Sequence, residues 1–211
     1  MADGPRFEVF FIPAGPTAWD LAGRLVGRTD LPIAPEGAAS VKAAAEALAG
    51  GLQTNHVTVL NGPDEASVSA GAIAARILRA KTRTLPGLAA MDLGLWEGMT
   101  RDELSERCPK VERAFACDPS TVVPPGGEGW AEARTRTVSA FMAGLPRRSG
   151  TVVVVARPGA WVPLRAGLDE LIGREEERDH ATWAPWGESE RLEVNLAAAE
   201  SGGWISMWGF M

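Results

Sequence analysis

The chain has 211 residues, 45% of them hydrophobic, and a formal charge of −6, a length and apolar content that suit one domain over residues 1–211 with a sizeable core. No Lys/Arg-rich run offers a nucleic-acid surface, no apolar stretch approaches the roughly 18 residues of a membrane span, and Asp3 and Pro5 break any signal-peptide pattern, so a cytoplasmic protein is expected. Cys108 and Cys117 are too few for a disulfide framework and read as buried or free thiols; with His56 and His180 the only histidines, no metal site and no cofactor are expected.

Residues 8–12, Glu-Val-Phe-Phe-Ile, are β-branched and aromatic and predict a buried first strand. Pro13 should stop its ladder, having no N–H to donate. Ala14-Gly15-Pro16 then turns the chain, and Thr17 or Asp20 can cap the next element. In open α/β sheets this carboxyl edge is where ligands bind. A loop over 21–37 is punctuated by Gly23, Gly27, Pro32 and Pro35. Pro35 and Glu36 open an alanine-rich helix to about Leu48, which Gly50 and Gly51 should end. Residues 56–60 read as the second strand, Asn61-Gly62-Pro63 as a turn, and Asp64 as the N-cap of a helix to about Ile77. Residues 81–85 are a short strand. Thr100 and Glu103 form a capping box for a helix through Arg107, and Pro109 opens or kinks the next. A loop rich in proline and glycine over 118–129 precedes a helix over 130–145. The continuous β-branched run 151–156 suits a central strand covered on both faces. A helix over 160–172, a solvated charge run over 173–179, and closing strands over 192–197 and 204–207 complete the chain. Strands alternating with helices argue a layered α/β domain.

Four ordered patches resemble one family. Pro13-Ala14-Gly15-Pro16-Thr17-Ala18-Trp19-Asp20 follows the frame Arg-His-Gly-Glu-Thr-x-Trp-Asn, matching at Gly15, Thr17 and Trp19. Gly23, Arg24, Gly27, Asp30, Pro32 and Gly37 fall in register with a Gly-Arg-x-x-Gly-x-x-Asp-x-Pro run. Gly94-Leu95-Trp96-Glu97-Gly98 matches Gly-x-Trp-Glu-Gly, and Pro125-Gly126-Gly127-Glu128 matches Pro-Gly-Gly-Glu-Ser as far as Gly129. The chain resembles the histidine phosphatases, the phosphoglycerate mutase-like superfamily. The resemblance implies a three-layer α/β/α sandwich with a mostly parallel central sheet and helices on both faces.

It also implies where the chemistry should lie. In the family a histidine attacks phosphorus, arginines clamp the phosphoryl oxygens, and a carboxylic acid protonates the leaving oxygen. At those places this sequence has Pro13 for the first arginine, Ala14 for the nucleophile, Ala66 for the clamp arginine, Ala90 for the acid and Arg157 for the second histidine. The family asparagine is Asp20, which would repel a phosphate. An alanine has no lone pair to attack with and no proton to give. Neither His56, at the wrong end of its strand, nor His180, in a charged stretch, substitutes.

The reading is therefore a protein of this fold without phosphotransfer, a pseudoenzyme serving binding or regulation. Two alternatives stay open. One is an enzyme with a repurposed pocket, a lyase, isomerase or cyclase acting on a small anionic substrate, with Thr17, Trp19, Asp20, Arg24, Trp96, Glu128 and Arg157 as pocket candidates. There Arg157 would hold an anion and Asp20 or Glu128 would act as acid or base. Against it stands simple pairing of Arg157 with Asp20 or a neighbouring carboxylate, and simple packing of Trp19 and Trp96. The other alternative is an oligomeric scaffold, a homodimer for instance. Among eight tryptophans in a chain without tyrosine, Trp183, Trp186, Trp204 and Trp208 gather late, as a partner surface or a closing cap.

Overall fold

The computed structural model describes residues 6–52, 56–171 and 190–195. Its centre is a five-stranded sheet ordered β3-β2-β4-β1-β5, formed by β1 (Arg6–Pro13), β2 (Val57–Asn61), β3 (Lys81–Thr84), β4 (Gly150–Ala156) and β5 (Glu190–Asn195). β4 pairs in parallel with both β1 and β2, β2 pairs in parallel with β3, and β5 runs antiparallel on the outer side of β1. The β-branched run of β4 thus takes the central position its sequence predicts, buried from Thr151 to Ala156.

Alternation along the strands divides the core between two faces. Phe7, Val9 and Phe11 of β1 and Val152, Val154 and Ala156 of β4 meet Phe141 of α6 (Trp130–Gly144) and Trp161, Leu164 and Leu168 of α7 (Pro158–Leu171). The Phe11 and Trp161 rings stack at 4.5 Å between centroids, 2° from parallel, an arrangement that adds about 1 kcal/mol to the burial. Phe10, Ile12 and Ala14 with Val153 and Val155 face Val41, Ala44, Ala45 and Leu48 of α2 (Pro35–Gly51) and Ala70 and Ala74 of α3 (Glu65–Ile77). The result is a sheet between two helical layers, a three-layer α/β/α sandwich. Smaller elements decorate its carboxyl edge: α1 (Ala18–Leu21), single 3-10 turns at Pro86–Leu88, Gly94–Trp96 and Pro119–Thr121, and α4 (Arg101–Arg107) followed by α5 (Pro109–Cys117).

Caps follow the expected chemistry. Asp64 accepts from the Ser67 amide at 3.0 Å, and Thr100 and Glu103 make their reciprocal box. Strand bounds shift by one or two residues, with Asn61 closing β2 rather than opening a turn and β5 starting at Glu190, and three further boundaries differ for a physical reason. Pro13 does not stop the ladder: it pairs with Ala156, and the Ala14 amide donates to the Ala156 carbonyl at 3.0 Å. Because successive residues donate to opposite sides, the ring nitrogen of Pro13 faces away from β4 and no ladder bond is lost there. Gly50 and Gly51 stay helical and Leu52 is the cap, since neither glycine takes the left-handed conformation that ends a helix. α7 begins at Pro158 rather than at 160, because proline is tolerated in the first turn and the Arg157 carbonyl accepts from Ala160 (2.9 Å) and Trp161 (3.2 Å).

The thiols of Cys108 and Cys117 are free and exposed. Among the described residues no helix is long and apolar enough to cross a membrane. The charge run over 173–179, the last strand over 204–207, His180 and the tryptophans Trp183, Trp186, Trp204 and Trp208 lie outside the described residues.

Candidate functional site

The five positions singled out from the sequence, Pro13, Ala14, Ala66, Ala90 and Arg157, gather at the carboxyl edge of the sheet. Pro13 ends β1 and Ala14 follows it, Ala66 sits in the first turn of α3 after β2, and Arg157 follows β4 directly. The pairing of Pro13 with Ala156 sets Ala14 and Arg157 just past the ends of neighbouring strands. Ala90 joins them through α7. Pro163, inside that helix, has no N–H for the carbonyl four residues back. That carbonyl, of Gly159, accepts instead from the Met91 amide at 3.0 Å, and a β-carbon on Gly159 would meet the Ala90 methyl at 3.4 Å. Ala14 and Ala66 are fully buried and Ala90 is 6% exposed. The Ala14 methyl belongs to the core cluster beneath α2.

The one charged side chain among the five is paired. Arg157, 5% exposed, donates from Nη2 to both oxygens of Asp20, at 2.7 and 2.9 Å. Asp20 Oδ2 also accepts from the Thr17 amide and the Thr17 hydroxyl, each at 2.7 Å. The capping box of α1, built by Thr17 and Asp20, is therefore the counter-charge of Arg157. Arg157 Nη1 is buried and, among the described residues, makes no hydrogen bond.

A second charged cluster surrounds Ala90. Glu128, 5% exposed, accepts from Arg136 Nε at 2.8 Å and Nη2 at 2.6 Å, and from Arg28 Nη2 at 3.2 Å. Burial pushes the Glu128 carboxyl up, but the Arg136 hydrogen bond, the charges of Arg136 and Arg28 and the Asp92 amide together hold it below its ordinary 4.5. Arg136 also donates to the carbonyls of Gly87 (2.8 Å), Ala89 (3.0 Å) and Ala90 (3.4 Å), and Arg28 Nε to that of Ala90 (3.3 Å). The cluster grips the segment carrying Ala90 by its backbone.

The remaining pocket candidates separate. Thr17 and Asp20 stand with Arg157. Glu128 engages Arg136 and Arg28. Arg24 is exposed on the outside of the turn, donating to the Gly98 carbonyl at 2.5 Å and lying 3.5 Å from Glu103. Trp96 is 3% exposed and packs inside its loop. The half-buried Trp19 lays its ring over Gly98, where a β-carbon would come within 3.0 Å of it and φ is +82°. Glu97 ties two loops together, accepting from the Arg28 amide (2.7 Å), the Leu93 amide (3.3 Å) and the Thr29 hydroxyl. Arg28, Asp92 and Arg136 do not emerge from the sequence reading. Arg136 carries a signal, a guanidinium beside the buried stripe Ala133, Thr137 and Phe141 of α6, where a charge needs a partner.

A mostly parallel sheet between helical layers, with charged side chains gathered at the strand ends, defines a doubly covered α/β protein. The histidine phosphatase superfamily (branch 1) model matches residues 9–191, and the chain belongs to that superfamily. It is 29% identical over 163 residues to the bifunctional protein Rv2228c of Mycobacterium tuberculosis, covering 76% of this chain; it spans only 41% of that relative's length. Among solved structures it is similar to mycobacterial hydrolase 1 (TM-score 0.74, 21% identity, 89% of this chain and 92% of that one). It is similar also to the mycobacterial glucosyl-3-phosphoglycerate phosphatase Rv2419c (TM-score 0.66, 21% identity, 80% of each chain). TTHB049 of Thermus thermophilus is a third (TM-score 0.62, 24% identity, 88% and 92%). At these identities the likeness is one of fold.

Proposed function

We propose that this protein keeps the histidine phosphatase fold without its phosphotransfer centre and serves as a binding or regulatory protein. The observation that carries this reading is the pair at the ends of β1 and β4. A fully buried alanine stands beside an arginine whose charge a carboxylate already neutralises. A methyl group cannot attack phosphorus, and a guanidinium keeps its proton at any physiological pH, so neither can form or break down a phosphoenzyme. Ala66 and Ala90 add no clamp and no acid. Incubation of the purified chain with para-nitrophenyl phosphate and with phosphoglycerates should give no turnover above buffer, and vanadate should leave its melting temperature unchanged. Turnover abolished by Arg157→Leu would overturn the proposal.

A second reading, a pocket turned to other chemistry on a small anion, is favoured by one detail. Arg157 Nη1 retains donor capacity that no acceptor among the described residues uses.

A further inference from the structure

We infer that Asp20 is an internal anion seated on Arg157, and that removing its carboxylate converts the centre into a binding site for a small oxyanion. The inference rests on the reading above, in which Arg157 stands at the second histidine's place.

Three observations carry it. A guanidinium 5% exposed requires a counter-charge. Asp20 supplies it, and the same carboxylate gathers the Thr17 amide and hydroxyl at 2.7 Å. Charge-assisted and neutral donors converging on one carboxylate are the arrangement by which proteins hold a free carboxylate, phosphate or sulfate. The fit is also one-sided. Both Asp20 oxygens address Nη2, whereas a well-seated oxyanion takes two parallel bonds from an arginine fork. Buried Nη1 is left without a hydrogen bond among the described residues. Finally, the Asp20 side chain is 18% exposed and that of Arg157 6%, so the carboxylate stands on the solvent side of the guanidinium. Truncating it opens Arg157 to small solutes. In the unaltered protein the pair is neutral overall and the Asp20 charge repels a second anion. The superfamily's phosphate locus is thereby closed by the chain's own side chain.

The test compares melting temperatures of the wild type, Asp20→Ala, Asp20→Ser and Asp20→Ala/Arg157→Leu in formate, phosphate or chloride at constant ionic strength. Chloride measures the general salt effect, formate reproduces the missing carboxylate, and phosphate probes the larger oxyanion. The wild type should respond to formate and phosphate no more than to chloride. Asp20→Ala should melt lower and regain roughly 5–10 °C, saturably, at a hundredfold excess of formate over Kd. The double variant should gain nothing. Asp20→Ser, whose hydroxyl keeps a partner for Thr17, carries the test if the alanine variant does not fold. Folded Asp20 variants indifferent to formate and phosphate, or a double variant that responds equally, overturn the inference. Phosphatase turnover by the wild type would instead strike the non-catalytic reading and leave the formate response standing.

Discussion

Two arginine–carboxylate clusters lie near one edge of the same sheet, and they are built to opposite specifications. Around Glu128 the main guanidinium is saturated: the five N–H groups of Arg136 go to the carboxylate and to the carbonyls of Gly87, Ala89 and Ala90. Around Asp20, Arg157 bonds the carboxylate through Nη2, and its buried Nη1 makes no hydrogen bond among the described residues. A saturated network fixes backbone and has no capacity for a ligand. An unsaturated one holds a buried donor at a cost of about 1–3 kcal/mol, which an incoming acceptor would relieve. Pairing alone therefore does not separate a structural ion pair from a ligand site, whereas the count of unused donors does.

The largest effect should come from breaking the saturated cluster. Arg136→Leu leaves Glu128 buried with Arg28 as its remaining cation and takes the side-chain donor from the Gly87 and Ala89 carbonyls, and should cost about 3–5 kcal/mol by denaturant unfolding. A loss below about 1 kcal/mol would show that the network is dispensable. The Arg157 pair should answer asymmetrically. Asp20→Ala strands a buried guanidinium and should cost about 3 kcal/mol. Arg157→Leu leaves Asp20 bonded to Thr17 and part-exposed, and should cost about 1 kcal/mol. Equal losses would mean that the pair acts through packing.

Next comes the frame between the clusters. Gly15 has φ +83° and a β-carbon there would lie 2.7 Å from the Gly37 carbonyl oxygen, whereas Gly23, at φ +68°, has nothing within 4 Å. Gly15→Ala should cost about 2–3 kcal/mol and Gly23→Ala about 1 kcal/mol. Similar values would mean that backbone conformation, not contact, sets both.

The smallest effect is a pH dependence. The Glu128 pKa is lower in the folded protein than its ordinary 4.5. The unfolded chain thus binds the proton more readily, and the stabilisation is complete above that value and lost as pH falls through the folded pKa. Below pH 4.5 the wild type should lose stability more steeply than Glu128→Gln, by at most about 1.4 kcal/mol per pH unit. Parallel acid profiles would remove Glu128 from the cause.

Much of this molecule could be read from neighbouring residues. The β-branched run of β4, the Asp64 cap, and the Thr100 and Glu103 box depend on groups within a turn or on one strand, so their spacing suffices. The four patches that carry the family resemblance were legible for the same reason, since their glycines and tryptophans serve local turns. Tertiary structure alone decided the pairings. Arg157 and Asp20 are 137 positions apart and meet because β4 lies beside β1. Pro13 stays in its strand because its ring nitrogen faces away from β4, where the Ala14 amide makes the bond instead. Glu128 became a staple because α6 turns Arg136 toward it, and Arg24 turned outward to Gly98. A charge's partner is set by which chain segments the topology packs together, and no local spacing encodes that.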